Sequence, residues 1–113
     1  MSNWLEFVET QAFTRRLHQI AGEETLRALQ SDLLENPQRW PVVPGTNGAR
    51  KGRVADPSST HGKRGSFRYY YLYLPHRGRI YLLVIFSKGE ASDLSPEQKK
   101  KVAAIITAIQ KEA

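Results

Sequence analysis

Two apolar runs joined by a short polar turn constrain the fold of this chain more than any other feature. Residues 66–74 (SFRYYYLYL) and 80–87 (IYLLVIFS) are rich in aromatic and β-branched side chains, and residues 75–79 between them contain proline and glycine. This pattern is typical of an antiparallel β-hairpin. The second run is apolar on both faces, which predicts an interior strand. In the first run, alternation puts Phe67, Tyr69, Tyr71 and Tyr73 on one face and Arg68, Tyr70, Leu72 and Leu74 on the other.

Helical patterns precede this hairpin along the chain. Residues 4–9 alternate loosely, which favours an edge strand, and Thr10 is then a candidate N-cap for a helix that ends at Gly22. A second helix is expected over residues 23–35, because the Asn36-Pro37 pair stops it. The apolar stripes of these helices are Phe13, Leu17 and Ile20 in the first, and Leu26, Leu29 and Leu33 in the second.

The C-terminal segment has the clearest local signal. Ser95, Pro96 and Gln98 combine an N-cap serine, proline at the first helical position and glutamine at the third, which is a capping box. We expect a helix from here to about Lys111. Its stripe of Val102, Ile105, Ile106 and Ile109 is expected to pack on the sheet, and Lys99, Lys100, Lys101 and Lys111 are expected to be mostly solvated.

Length and composition predict one small domain. With 113 residues and 40% hydrophobic content, a single domain over residues 1–113 with a modest core is expected. The longest apolar run, residues 80–86, is too short to span a bilayer, and the first ten residues lack the layout of a signal peptide. We therefore expect a cytoplasmic protein without a membrane partner. The chain has no cysteine and its three histidines are far apart in sequence, so neither a metal site nor a cofactor is predicted.

The formal net charge of +6 is concentrated in the middle of the chain. Residues 50–88 carry nine Lys or Arg and one acid, whereas residues 1–49 carry four bases and six acids, and residues 89–113 carry four of each. One positive face of this kind attracts a polyanion through counterion release, so nucleic acid is the leading candidate partner. A basic surface that serves only solubility, or one that binds an acidic protein, is the alternative.

Within the basic segment, two places collect cations. Residues 50–54 predict a strand that puts Lys51 and Arg53 on one face. Residues 55–65 are polar and contain glycine, which predicts a surface loop that presents Lys63 and Arg64.

Three stretches of the chain together carry a family resemblance. The runs GARKGRVADP, GKRGSFRYYYL and GRIYLLVIFSKGEASDLSPEQKK resemble the RelE and HigB family of bacterial toxins, and most closely its HigB-like branch. The resemblance covers roughly the last two thirds of the chain. It implies an α+β, RelE-like fold, in which two N-terminal helices pack on a small twisted antiparallel sheet with a C-terminal helix.

The resemblance also implies a function. Members of the family are endoribonucleases that enter the ribosomal A site, contact rRNA and cut mRNA there, which inhibits translation. A cognate antitoxin, expected to carry a helix-turn-helix DNA-binding domain, neutralises them. No cofactor is implied.

A set of cations can perform this chemistry. Cleavage of RNA by its own 2′-OH requires removal of a proton from the nucleophile, compensation of extra negative charge in the transition state, and a proton for the departing 5′-oxygen. We expect Lys51, Arg53 and Arg68 to hold the phosphate and its transition state. Lys51 is the candidate proton carrier, because neighbouring cations favour the neutral form of an amine. The family pattern has basic residues in the strand before the loop and an arginine in the next strand, which supports these positions.

Further residues are assigned by resemblance or by position. Tyr71 and Lys88 are candidate catalytic residues. The structural alternative for Tyr71 is a core aromatic residue, and for Lys88 it is an ion pair with Glu90 or Asp93. The candidate RNA-binding residues are Arg50, Lys63, Arg64 and Tyr70. His61 is an alternative acid or base.

The proton donor is not identified by the resemblance. Some relatives place an arginine just after the last strand and a tyrosine or histidine further on, whereas this chain has Gly89, Glu90 and then a helix without aromatic residues. Two other classes of function fit the same basic face. One is a non-catalytic RNA- or ribosome-binding inhibitor of translation, and the other is a protein-interaction domain whose basic groove accepts an acidic segment.

Overall fold

A computed structural model describes residues 4–57, 66–87, 89–90 and 93–112, and within these ranges it contains a four-stranded sheet and three α-helices. In chain order the elements are β1 (Glu6–Glu9), α1 (Gln11–Ile20), α2 (Glu23–Glu35), β2 (Arg50–Ala55), β3 (Ser66–Leu74), a 3-10 turn (Pro75–Arg77), β4 (Arg79–Phe86) and α3 (Pro96–Lys111). None of the helices in the described ranges has the length and apolar character needed to cross a bilayer.

The sheet has the strand order β1-β4-β3-β2, so the hairpin strands β3 and β4 are interior. β2, β3 and β4 are antiparallel neighbours, which confirms the predicted hairpin and the interior position of its second strand. β1 is the exception to the antiparallel sheet that was expected, because it pairs parallel to β4 with Glu6 opposite Arg79. The backbone N–H of Glu6 donates to the carbonyl oxygen of Gly78 at 2.9 Å, and Arg79 Nε lies 2.7 Å from Glu6 Oε1. These contacts fix β1 at the turn end of β4.

Side-chain caps explain where two of the helices begin. Thr10 Oγ1 accepts the backbone N–H of Phe13 at 3.0 Å, which starts α1 directly after β1. At α3, Ser95 Oγ accepts the N–H of Gln98 at 3.2 Å, and Gln98 Oε1 accepts the N–H of Ser95 at 2.8 Å. The predicted capping box is therefore confirmed, and the predicted bounds of α2 agree with the structure.

Helices cover the sheet on both faces. The α1/α2 face buries Phe13, Leu17, Leu26, Leu29 and Leu33 against Phe67, Tyr69, Tyr71, Ile80 and Leu82. The α3 face buries Val102 and Ile106 against Tyr70, Leu72, Leu74, Tyr81 and Leu83. The two lists divide β3 by alternate residues, so the predicted alternation of that strand is confirmed. The result is the α+β architecture expected from the sequence.

The packing of α3 departs from its predicted stripe at one position. Val102 and Ile106 are buried and Ile109 packs partly against the same cluster, as expected. Ile105 is instead 45% exposed. A helix that lies on a sheet buries a narrow stripe, and Ile105 falls on the edge of that stripe.

Candidate functional site

Two neighbouring strands present the predicted cations on one face of the sheet. In the β2–β3 ladder Arg53 is directly opposite Arg68, and Lys51 is directly opposite Tyr70. Directly opposed residues of an antiparallel pair project to the same side of the sheet. Since Tyr70 belongs to the α3 face, all four side chains share that face.

Gly52 lets β2 lie close to the core between its two cations. A Cβ atom at Gly52 would lie 2.6 Å from Cζ of Tyr69 and 2.9 Å from Cδ1 of Trp40, distances that carbon atoms do not tolerate. Tyr69 is fully buried, so its ring cannot move away. Because Gly52 has no side chain on the α1/α2 face, β2 can lie close to the core. This position of the strand fixes where Lys51 and Arg53 lie on the opposite face.

The cations line a cleft of about 860 Å³ on the α3 face. Its lining comes from β2, β3, the start of α3 and the segment before β2, and consists of Trp40, Pro41, Val42, Val43, Pro44, Lys51, Arg53, Arg68, Tyr70, Asp93, Leu94 and Lys99. The three cations that the sequence predicts to act together are thus brought into one cleft. Within the described ranges, no group of three or more His, Asp or Glu side chains is placed to hold a metal ion.

Arg53 and Arg68 form a directly opposed pair of like charges. Within the part of the chain that the structure describes, neither guanidinium makes a hydrogen bond or ion pair with another side chain. Like charges directly opposite each other on neighbouring strands destabilise a sheet. An anion bound between them relieves this repulsion, and guanidinium groups match the geometry of phosphate oxygens.

Lys51 differs from the two arginines because it has an acidic partner. Its Nζ lies 2.7 Å from Oδ1 of Asp93, and also 6.0 Å from the ring centroid of Tyr70. The hydrogen bond from Lys51 lowers the pKa of Asp93 below its usual value, and the positive charges of Lys99 and Arg68 add to this effect. The Asp93 side chain is 96% exposed, so a ligand can reach and displace it.

Tyr70 forms part of the floor of the cleft. Its side chain is buried, and its ring meets that of Phe86 edge to face with 6.1 Å between centroids. Burial raises the pKa of Tyr70, while a hydrogen bond with the backbone of Leu94 opposes that shift. The hydroxyl group therefore stays neutral near pH 7. The Tyr70 ring forms the surface of the cleft next to Lys51.

Residues 40–44, here called the apolar wall, form the side of the cleft facing the cations. The sequence of this wall is Trp-Pro-Val-Val-Pro. The indole of Trp40 packs against the α1/α2 core and donates to Asp32 Oδ2 at 3.1 Å, so Val42 and the two prolines supply the apolar side of the cleft. The backbone N–H of Lys51 donates to the carbonyl oxygen of Pro41 at 3.2 Å, and that of Val43 donates to Ala49 at 2.8 Å. These bonds extend the ladder of β2 by a short irregular strand. The proline and glycine residues in and after this segment are typical of a loop or a short extended piece, and they do not indicate its place in the cleft.

Arg50 and Tyr71 are not brought to the cleft. Arg50 Nη1 donates to the carbonyl oxygens of Trp40 at 2.7 Å and Gln38 at 3.2 Å, so this predicted RNA-binding side chain holds the apolar wall instead. Tyr71 is buried on the α1/α2 face, where its hydroxyl donates to the carbonyl oxygen of Pro37 at 2.8 Å. Burial raises the pKa of Tyr71. This position fits the structural alternative of a core aromatic residue, and the catalytic role of Tyr71 stays a prediction.

Several predicted site residues lie outside the described residues. These are His61, Lys63 and Arg64 of the basic loop, and Lys88 after β4. Of the two acids considered as partners of Lys88, Glu90 accepts hydrogen bonds from the backbone and hydroxyl of Ser87 and pairs with Arg16. Those bonds lower the pKa of Glu90, led by the backbone bond from Ser87. Asp93 pairs with Lys51.

Sequence reasoning missed two charged members of the cleft, Asp93 and Lys99. Lys99 was expected to be solvated, but it lies in the first turns of α3 and lines the cleft. A sequence signal for both residues was available. The capping box at Ser95 sets the start of α3, and Asp93 and Lys99 lie just before and just after that start. What the sequence could not give was the contact with β2, which spans 42 positions.

The mixed sheet with helices on both faces and a cationic cleft beside its last helix defines an α+β fold of the RelE type. No protein-family model matches the sequence. Among solved structures, the chain is similar to a mutant of the E. coli toxin RelE in the free state, with a TM-score of 0.58 and 16% sequence identity. The match covers 88% of this chain and 98% of that chain. The likeness extends over most of the chain, so the RelE-like fold expected from the sequence is confirmed.

Proposed function

We propose that this chain acts as a single-domain, ribosome-dependent endoribonuclease toxin of the HigB-like branch, which cuts mRNA in the ribosomal A site and so inhibits translation in the cytoplasm. Support comes from the RelE-like fold. It comes equally from the position of the cleft, in which strands β2 and β3 of that fold bring Lys51, Arg53 and Arg68 together.

The observation that carries the proposal is the pairing of Arg53 with Arg68. A protein surface that serves solubility alone does not require two arginines in direct register, because the arrangement costs stability. A site that binds a dianionic transition state does require it, since positive charge held in place before the reaction needs no reorganisation during it. The pair therefore favours a phosphate-binding role over a solvated surface.

The proposed reaction is an internal transfer at phosphorus. The 2′-oxygen of the substrate attacks the adjacent phosphorus, the bond from phosphorus to the 5′-oxygen breaks, and the products are a 2′,3′-cyclic phosphate and a free 5′-hydroxyl. Arg53 and Arg68 hold the non-bridging oxygens, whose negative charge grows in the transition state. Lys51 gives its proton to the departing 5′-oxygen. Solvent water accepts the proton of the 2′-OH and returns a proton to Lys51 after the 5′-oxygen has left.

The proposed partners follow from the same reading. The mRNA phosphates occupy the cleft. The proposed contacts of Lys63 and Arg64 are the backbone of rRNA or mRNA, and that of Lys88 is the scissile region. A cognate antitoxin with a helix-turn-helix domain neutralises the protein, and an acidic segment of it is complementary to the cleft.

A non-catalytic RNA-binding inhibitor of translation is the second candidate. The observation in its favour is the ion pair between Lys51 and Asp93, because a lysine engaged with a carboxylate is held back from proton transfer until that carboxylate moves. In this reading the same cations bind RNA phosphates without cleaving them.

Mapping of transcripts after brief induction separates these candidates. We expect 5′-hydroxyl ends to appear within the coding region of a translated reporter message. A matched message that lacks only its ribosome-binding site is expected to stay intact. Arrested growth with both messages intact would contradict the enzyme and support the binder. Equal cleavage of both messages would contradict dependence on the ribosome.

A further inference from the structure

We propose that the apolar wall, residues 40–44, is a nucleobase-binding site that receives the base next to the phosphate held by the cations. This inference rests on the proposed function, because it names how the same cleft recognises its RNA. It adds a source of affinity, and of base preference, that the charged residues alone do not supply.

Exposed apolar surface inside a charged cleft is the first observation. Val42 is 48% exposed although it is a large hydrophobic residue, and it lines the cleft together with Trp40, Lys51 and Arg68. A cleft that bound only phosphate would gain nothing from an apolar side. A nucleotide presents an anion and a flat, largely apolar base on one molecule, and thus complements both sides at once.

The wall is held rigidly in place, which is the second observation. Thr46 is fully buried, its Oγ1 donates to the carbonyl oxygen of Val43 at 2.7 Å, and it accepts the N–H of Ala49 at 3.0 Å. Asn47, in the same turn, donates to Thr107 Oγ1 of α3 at 2.9 Å. A segment fixed before the ligand arrives loses little conformational entropy on binding.

The third observation is that the wall is connected directly to the cationic strand. The bond from the N–H of Lys51 to the carbonyl oxygen of Pro41 joins the two sides of the cleft through the backbone. Arg50 reinforces this link through the carbonyl oxygen of Trp40. A base on the wall therefore sets the position of its own phosphate relative to Lys51, so the wall acts on orientation as well as affinity.

Binding of two matched strands tests the proposal. The probes are an eight-nucleotide single-stranded RNA that carries 2′-O-methyl groups, so that it cannot be cleaved, and a strand of the same backbone without bases. A fluorophore at one end of each strand reports binding through its anisotropy. We expect the base-bearing strand to bind more tightly than the base-free strand.

Variants at two equally exposed apolar positions locate the effect. Val42→Ala is expected to weaken binding of the base-bearing strand about fivefold and to leave the base-free strand unchanged. Leu34→Ala on α2, where the side chain is 49% exposed and outside the cleft, is expected to change neither.

Equal binding of the two strands by the parent protein would overturn the inference and leave the proposed function standing. An eight-residue glutamate peptide that binds as tightly as the RNA, with the same dependence on Val42, would also overturn it. Binding of neither strand would overturn the inference, whereas the proposed function is overturned only if the translated reporter message stays intact.

Discussion

The two faces of strands β2 and β3 use the same residue types for different purposes. On the α1/α2 face, Arg50 and Tyr71 donate hydrogen bonds to backbone carbonyl oxygens of the segment before β2. On the α3 face, Arg53 and Arg68 have no such partners among the described residues and line an open cleft. Arg50 and Arg53 are separated by only two residues. Residue type alone therefore does not identify the functional cations, and the face of the strand does.

The difference shows how stability is divided within one sheet. Tyr71 and Arg50 satisfy carbonyl oxygens near the core, which stabilises the fold. The opposed guanidiniums of Arg53 and Arg68 act against it. A face that is unfavourable in the free protein becomes favourable when it binds a polyanion, which is the usual relation between a site and its scaffold.

The largest expected effect comes from removing a cation on the cleft face. Lys51→Ala and Arg68→Ala are each expected to lower the rate of mRNA cleavage on ribosomes by about 10²–10⁴-fold, because proton transfer and transition-state charge are lost. Arg79→Ala is the control, since this strand arginine pairs with Glu6 outside the cleft. Equal losses of cleavage rate in all three variants would show that the cations of the cleft have no role that other arginines of the sheet lack.

The glycine between the two faces gives the next largest effect. Gly52→Ala is expected to destabilise the protein by about 1–3 kcal/mol, because its Cβ would overlap the ring of Tyr69, which is closed in by the core. Urea denaturation measures the change. Gly22→Ala is the matched control, because nothing lies within 4 Å of a Cβ at Gly22. An unchanged midpoint for Gly52→Ala would mean that β2 does not rest on Tyr69.

A single hydroxyl on the structural face has a smaller effect. Tyr71→Phe removes the hydrogen bond to the carbonyl oxygen of Pro37, and we expect a loss of stability of about 1 kcal/mol. Cleavage by this variant is expected to stay at the parent rate, measured on ribosome-bound message at a temperature where the variant is fully folded. A large loss of cleavage with little loss of stability would contradict this prediction and indicate a catalytic role for Tyr71.

The smallest effect has the opposite sign. Arg53→Gln relieves the repulsion from Arg68, and we expect the free energy of unfolding to rise by about 0.2–1 kcal/mol at low salt. The gain is expected to shrink as salt screens the repulsion. Thermal or urea denaturation at two salt concentrations checks both points, and a destabilised variant would show that Arg53 has a stabilising partner.

Local sequence signals were sufficient for most of the scaffold. The capping box at Ser95, the Asn36-Pro37 stop of α2 and the alternation along β3 each depend on residues a few positions apart, so the chemistry that sets them is visible in the sequence. The same alternation correctly put Lys51 and Arg53 on one face.

Features that depend on distant contacts could not be read in this way. Asp93 meets Lys51 across 42 positions, and the carbonyl oxygens that engage Arg50 and Tyr71 belong to a segment without regular structure. Alternation says which residues share a face, but not what covers that face. The parallel direction of β1 was not predicted for a related reason. No turn joins β1 to β4, and no local signal in the sequence sets the direction of β1.

The salt dependence of RNA binding by Arg53→Gln and Arg50→Gln tests the central claim most directly, because these arginines lie on opposite faces of the same strand. The logarithm of affinity falls with the logarithm of salt concentration by about 0.7 for each phosphate neutralised on a single strand. We predict that Arg53→Gln reduces this slope by about 0.7, and that Arg50→Gln leaves it unchanged. A reduced slope for Arg50→Gln, with the parent slope kept by Arg53→Gln, would contradict the assignment of the cleft face to RNA phosphate.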